Sequence, residues 1–131
     1  MTTVLDTARA ALERYHDVTV DGDGALTFAH GGVVCAVQGT ELDDGLPVLN
    51  LTCVVAWDLP EEDVPTRVAL GVGEALFGTP RVIRGQDGWD VTLRYAFPAA
   101  GLDEKAMGTL LMLVVAGASS MRAELTAPSP D

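Results

Sequence analysis

Hydrophobic and polar positions change their period several times along the chain, and each change marks an element. In TTVLDTARAALERYHD, Val4, Leu5, Ala8, Ala11, Leu12 and Tyr15 recur at spacings of three and four, which predicts an amphipathic helix. Thr3 followed three residues later by Asp6 resembles a capping box with Asp in the place of Glu, so the helix is expected to begin near residue 3. After Asp17 the period becomes two. VTV, DGDG and ALTF read as two short strands about a Gly-rich turn, HGG at 30–32 as a second turn, and VVCAVQ at 33–38 as the next strand. Acidic GTELDDG then leads into LPVLNLTCVVAWDL, the longest strand candidate.

If Asp43, Asp44 and Gly45 form the loop, Leu42 pairs with Leu46 and opposed positions sum to 88, which sets Cys35 against Cys53. Val33, Cys35, Val37, Leu51, Cys53 and Val55 then share one face; Gln38, Asn50 and Thr52 share the other with Val34, Ala36, Val48 and Val54. One face is dry and the other mixed, so helices are expected on one side of the sheet only.

DLPEEDVPTRVALGVGEALFGTP predicts a second helix from near Val64, capped by Asp63 and stopped by Gly78 and Pro80. Gly71 and Gly73 weaken it by roughly 1 kcal/mol each. RVIRGQDGWDVTLRYAF reads as a hairpin turning at QDG, in which Trp89, Val91, Leu93, Tyr95 and Phe97 alternate with Asp90, Thr92, Arg94 and Ala96. A final helix is expected from Asp103 to about Leu125. The prediction is one α+β domain over residues 1–125, with 126–131 a disordered tail. It has an antiparallel sheet of about five strands with helices on one face, in the order α-β-β-β-α-β-β-α.

AMGTLLMLVVAGASSM, residues 106–121, carries no charge. Its sixteen residues fall short of the roughly 20 that cross a bilayer, and Gly, Thr and Ser dilute it, so a buried helix of a soluble protein is the reading. A helix apolar nearly all round needs cover beyond one sheet, from a neighbouring helix or a second subunit. A homodimer is therefore expected, with Met107, Leu111, Val114, Val115 and Ala118 as its candidate surface.

Charge narrows the partners. Nineteen acidic against eight basic side chains give a formal net charge of −11, which repels phosphate backbones and anionic membranes. Neither nucleic acid nor a membrane is expected as a partner, and basic protein segments are favoured. No basic region precedes a hydrophobic stretch at the start, so a cytoplasmic location is expected, with the two cysteines reduced in the core.

The order of elements, the short chain and the low pI together resemble the YbjN-type domain family, whose fold is similar to that of type III secretion chaperones. The resemblance rests on DGDGALTF followed by GGVVCAVQ, on LPVLNLTCVVAWDLPEEDV, on GTPRVIRGQDGWDVTLRYAF and on GLDEKAMGTLLMLVVAGASSM, and spans about Thr3 to Leu125. Where many relatives carry an Asn-rich end to the second helix, this chain reads GEALFGTP. The resemblance implies a compact, often dimeric α+β domain without catalytic residues, described as a chaperone-like binder of protein segments or as a regulator.

The residues assemble no reaction centre. DGDG at 21–24 lacks the further ligands of an EF-hand loop, since Ala25 and Gly32 stand at those places. Cys35 and Cys53 could pair as a redox switch, but apolar surroundings make buried, inert thiols the simpler reading. His16 and His30 lie at a helix end and a turn with no third ligand at metal spacing. Neither a nucleophile elbow nor a phosphate-binding loop occurs. No catalytic, cofactor-binding or metal residue is assigned, and no cofactor is expected. What remains is surface: the mixed face with Gln38, Asn50, Thr52, Val54, Thr92 and Arg94 suits contact with a peptide. The expectation is a non-enzymatic chaperone-like or regulatory domain that binds a segment of a partner protein. Two alternatives stay open: a small-ligand sensor or enzyme with a pocket between the sheet and the final helix, and a subunit of a larger assembly.

Overall fold

Helix α1 (Val4–Glu13) begins where the capping box places it: the Thr3 side chain accepts from the Asp6 N–H at 3.1 Å, and the Thr3 N–H donates to Asp6 Oδ2 at 3.0 Å. Those bonds to Thr3 hold the Asp6 carboxyl below its ordinary pKa. The computed structural model describes residues 3–42, 44–71 and 77–127. Ala8, Ala11 and Leu12 are buried and Val4 and Leu5 pack on the core, but the helix stops at Glu13 and leaves Tyr15 81% exposed, off the predicted apolar stripe.

Six strands follow in one antiparallel sheet: β1 (Thr19–Val20), β2 (Leu26–His30), β3 (Val33–Glu41), β4 (Pro47–Leu59), β5 (Thr79–Arg84) and β6 (Trp89–Pro98), in the spatial order β1-β2-β3-β4-β6-β5. β1 is the VTV strand read from the sequence, two residues long at the sheet edge, and the sheet has six strands against the expected five or so. DGDG forms the β1–β2 turn, with Asp21 Oδ1 accepting from the N–H groups of Asp23 and Ala25, both at 2.9 Å. Gly31 and Gly32 both take positive φ between β2 and β3, and a Cβ on either would lie 2.6 Å from Ser119 Oγ or Arg122 Nε. The tight turn and the close approach of the final helix both require glycine there.

The β3–β4 register is the one the DDG loop predicts. Cys35 opposes Cys53, Gln38 opposes Asn50, and the Leu42 N–H donates to the Leu46 carbonyl at 3.0 Å; Asp43, the first loop residue, lies outside the described residues. β6 pairs with β4 on its other side, bringing Leu93 opposite Cys53 and Arg94 opposite Thr52.

Helix α2 (Val64–Ala69) is much shorter than expected. It buries Val64 and Val68, then ends as Gly71 takes φ +85°, so Gly71 breaks the helix rather than merely weakening it; residues 72–76, Gly73 among them, lie outside the described residues. Asp63 occupies the N-cap position, but its side chain makes no capping bond.

Helix α3 (Glu104–Thr126) starts at Asp103, whose Oδ1 accepts from the Ala106 N–H at 2.7 Å. The helix reaches Thr126, one residue into the expected tail, and 128–131 lie outside the described residues. α3 is long and apolar enough to cross a membrane by length and composition, yet one face of it is spent inside the molecule. The five residues expected to form a dimer surface, Met107, Leu111, Val114, Val115 and Ala118, are each 0% exposed. This corrects the expectation: they fill the layer between α3 and the sheet of the same chain. α1 covers part of the helix besides, packing close at Gly108, where an added Cβ would lie 3.4 Å from Ala11 Cβ. The outward face carries Lys105, Thr109, Leu113, Ala116 and Ser120.

The core thus lies between the sheet's inner face and α1 and α3, and among the described residues it buries no polar or charged residue.

Candidate partner-binding face

Strand alternation sends every second side chain away from the helices, and no described helix packs on that outer face. The registers arrange it in rows. Gln38, Asn50 and Ala96 form one; Thr27, Ala36, Thr52, Arg94 and Thr79 form the next; Ala29, Val34, Val54, Thr92 and Arg81 form a third. All six residues expected from the sequence therefore share one surface. Gln38, Thr52, Thr92 and Arg94 line an open trough of about 610 Å³, while Asn50 and Val54 lie in the same rows beside it. Asn50 Nδ2 donates to Thr40 Oγ1 at 3.3 Å, which steadies the amide at the β3 side.

β5 adds Thr79, Arg81 and Ile83 to the trough, three residues absent from the sequence-based set. The signal for them was present. The turn at 85–88, closed by the Gly85 N–H donating to Gly88 O at 2.8 Å, makes opposed positions sum to 173, and that places Thr79 beside Arg94 and Arg81 beside Thr92.

The face also differs in charge from the chain as a whole. Against a net charge of −11, its paired strand positions carry Arg81, Arg94 and Asp90, whose Oδ1 accepts from the Asp58 N–H at 3.1 Å. The expected bias toward basic partners follows from the total charge and does not describe this surface.

Away from the trough, Cys35 and Cys53 are buried with their sulfurs 3.6 Å apart, and the neighbouring thiol together with burial pushes the Cys35 thiol far above its ordinary pKa. His16 and His30, distant in sequence, meet: His16 Nε2 lies 3.1 Å from His30 Nδ1, and the His16 ring tilts against Phe28. The connection that follows α1 lays His16 against β2 and creates this pair, and no sequence spacing announces it. No group of three or more His, Cys, Asp or Glu side chains gathers at metal-binding distance among the described residues. The expected pocket between the sheet and α3 finds that layer filled by Met107, Leu111, Val115 and their neighbours. A groove of about 370 Å³ lies instead between α1 and α3, lined by Ala11, Gly108 and Met112 among others.

No protein-family model matches the chain, and no curated protein matches its sequence.

Proposed function

We propose that this chain is a non-enzymatic, chaperone-like or regulatory protein-binding domain that takes an extended segment of a partner on the outer face of its sheet. The uncovered trough between β3, β4, β6 and β5 carries this reading. Its rows alternate hydroxyl, amide and small apolar side chains, a surface that offers both hydrogen bonds and dry contact without demanding one sequence. The element order is also what underlies the resemblance to YbjN-type and secretion-chaperone-like domains, for which segment binding without catalysis is the implied activity. A cytoplasmic setting accompanies this reading.

The test is retention of peptides from a random dodecapeptide display library by the full chain, compared with Thr52→Trp. An indole at the centre of the trough fills it while leaving the inner face untouched, so circular dichroism and the denaturation midpoint should stay close to wild type. Wild type should retain peptides and Thr52→Trp should not. Equal retention by the two proteins, with Thr52→Trp folded, places binding elsewhere and removes the assignment.

A further inference from the structure

The segment that this face takes is acidic, we infer, and Arg81 and Arg94 are the residues that select it; the inference rests on the peptide-binding reading above. The chain has seven arginines, and five are engaged within the fold. Arg9 and Arg14 pair with Glu13 and Glu104 at 3.1 and 2.8 Å. Arg67 and Arg122 donate to the carbonyls of Glu124 and Val55 at 2.8 and 3.0 Å, and Arg84 lies over the Trp89 ring at 5.0 Å. Arg81 and Arg94 alone make no ion pair, hydrogen bond or ring contact with any described residue, and both stand on the open face.

Their placement adds to the argument. With Arg94 opposite Thr79 and Arg81 opposite Thr92, the two arginines are diagonal neighbours on adjoining strands, within reach of one another for long side chains. Two guanidinium groups so placed repel, and Asp90, which the same register makes Arg81's diagonal neighbour on the other side, forms no ion pair with it. Asp90 sits toward the hairpin end, and its Oδ1 already accepts from the Asp58 N–H. A partner that brings carboxylates to the trough supplies what the fold withholds, because the guanidinium fork matches a carboxylate with two parallel hydrogen bonds. Salt screens the repulsion from acidic side chains farther off, beyond about 8 Å under physiological conditions. A nucleic acid offers anionic groups too, but it is a long polyanion that would meet the chain's full net charge of −11 along its length.

The same peptide library separates this inference from the reading beneath it. Peptides retained by wild type should be enriched about tenfold in net-negative over net-positive sequences, and on the Arg81→Glu, Arg94→Glu double variant the preference should reverse. Arg81→Gln with Arg94→Gln, which removes the charge without creating an opposite one, should abolish the bias and serves if the reversed variant fails to fold. Retention that Thr52→Trp abolishes, with no charge bias or a basic one, overturns the acidic assignment and leaves the docking face standing. No retention above Thr52→Trp overturns both. A labelled oligothymidine that binds wild type and displaces the retained peptides overturns the choice of a peptide as occupant.

Discussion

The two faces of one sheet are made from the same strands, alternate residue by alternate residue, and they do opposite work. On the inner face Val33, Cys35, Val37, Leu49, Leu51, Cys53, Val91 and Leu93 are buried under α1 and α3. One residue along each strand, the outer face holds Ala36, Thr52 and Thr92, half-buried, and Arg94, exposed, with no described helix packed over them. Backbone hydrogen bonding is common to both, so what separates them is the fate of the side chains. The inner ones supply hydrophobic burial; the outer ones are released from that duty and can vary for contact. The outer face keeps enough Val and Ala to be half dry, which is more apolar than solvation alone needs.

Adjacent residues give the sharpest way to break the comparison. Leu51 is fully buried, and Leu51→Ala should cost about 2–5 kcal/mol in urea denaturation, from lost burial and the cavity left behind. Thr52→Ala, one residue on, should stay within about 0.5 kcal/mol of wild type. If the two variants fell by similar amounts, the outer face would be carrying fold energy and would not be free to serve as a contact surface.

A smaller effect is expected at the cysteine pair. Cys53→Ser places a hydroxyl in a layer where its nearest polar partner is the Cys35 sulfur, and should cost roughly 1–3 kcal/mol, against less than about 0.5 for Thr52→Ser. The wild-type thiols should resist alkylation in the native state and react on unfolding, because burial and the neighbouring thiol hold Cys35 protonated. Rapid native-state labelling of either cysteine, against a slow-reacting expectation, would mean that the dry face opens on its own.

Much of this division was legible in the sequence, and the places where it was not share a cause. Alternation in VVCAVQ and LPVLNLTCVV, together with the DDG loop, gave the register and both faces, since a slip of one residue would turn every apolar side chain outward. The capping residue Thr3 marked its helix because the signal is local, whereas Asp63, read as a cap on similar grounds, makes no capping bond. α3 was misjudged for the opposite reason. Helical period groups Met107, Leu111, Val114 and Ala118 on one stripe, but which way a stripe faces is set by tertiary docking, and here it faces the chain's own sheet. Tyr15 and the short α2 follow the same logic: a face read from period holds only as far as the helix continues, and Glu13 and Gly71 end those helices early. Arg81 was within reach of the reasoning, through the hairpin sum that the QDG turn imposes.

The smallest effect is expected where the alternation itself fails. Between Val54 and Leu59 the β4–β6 register shifts twice, so Val55 and Ala56 are both buried, and Asp58 takes φ +56°. A left-handed conformation costs an L-residue about 1–2 kcal/mol, less for Asp, whose short side chain tolerates it. Glycine at position 58 removes that cost but loses about 0.5–1 kcal/mol to the greater freedom of the unfolded chain. The two nearly cancel, so Asp58→Gly should raise stability by no more than about 0.5 kcal/mol, while Asp58→Val, branched at Cβ, should lower it by about 1–2 kcal/mol. The backbone N–H at 58 keeps its bond to Asp90 in both variants, so urea denaturation of the pair isolates the conformational cost. A clear loss in Asp58→Gly would show that the Asp58 side chain holds the bend. The boundary between the faces would then be fixed by a surface carboxylate rather than by the backbone, and this end of the outer face would belong to the fold instead of to a partner.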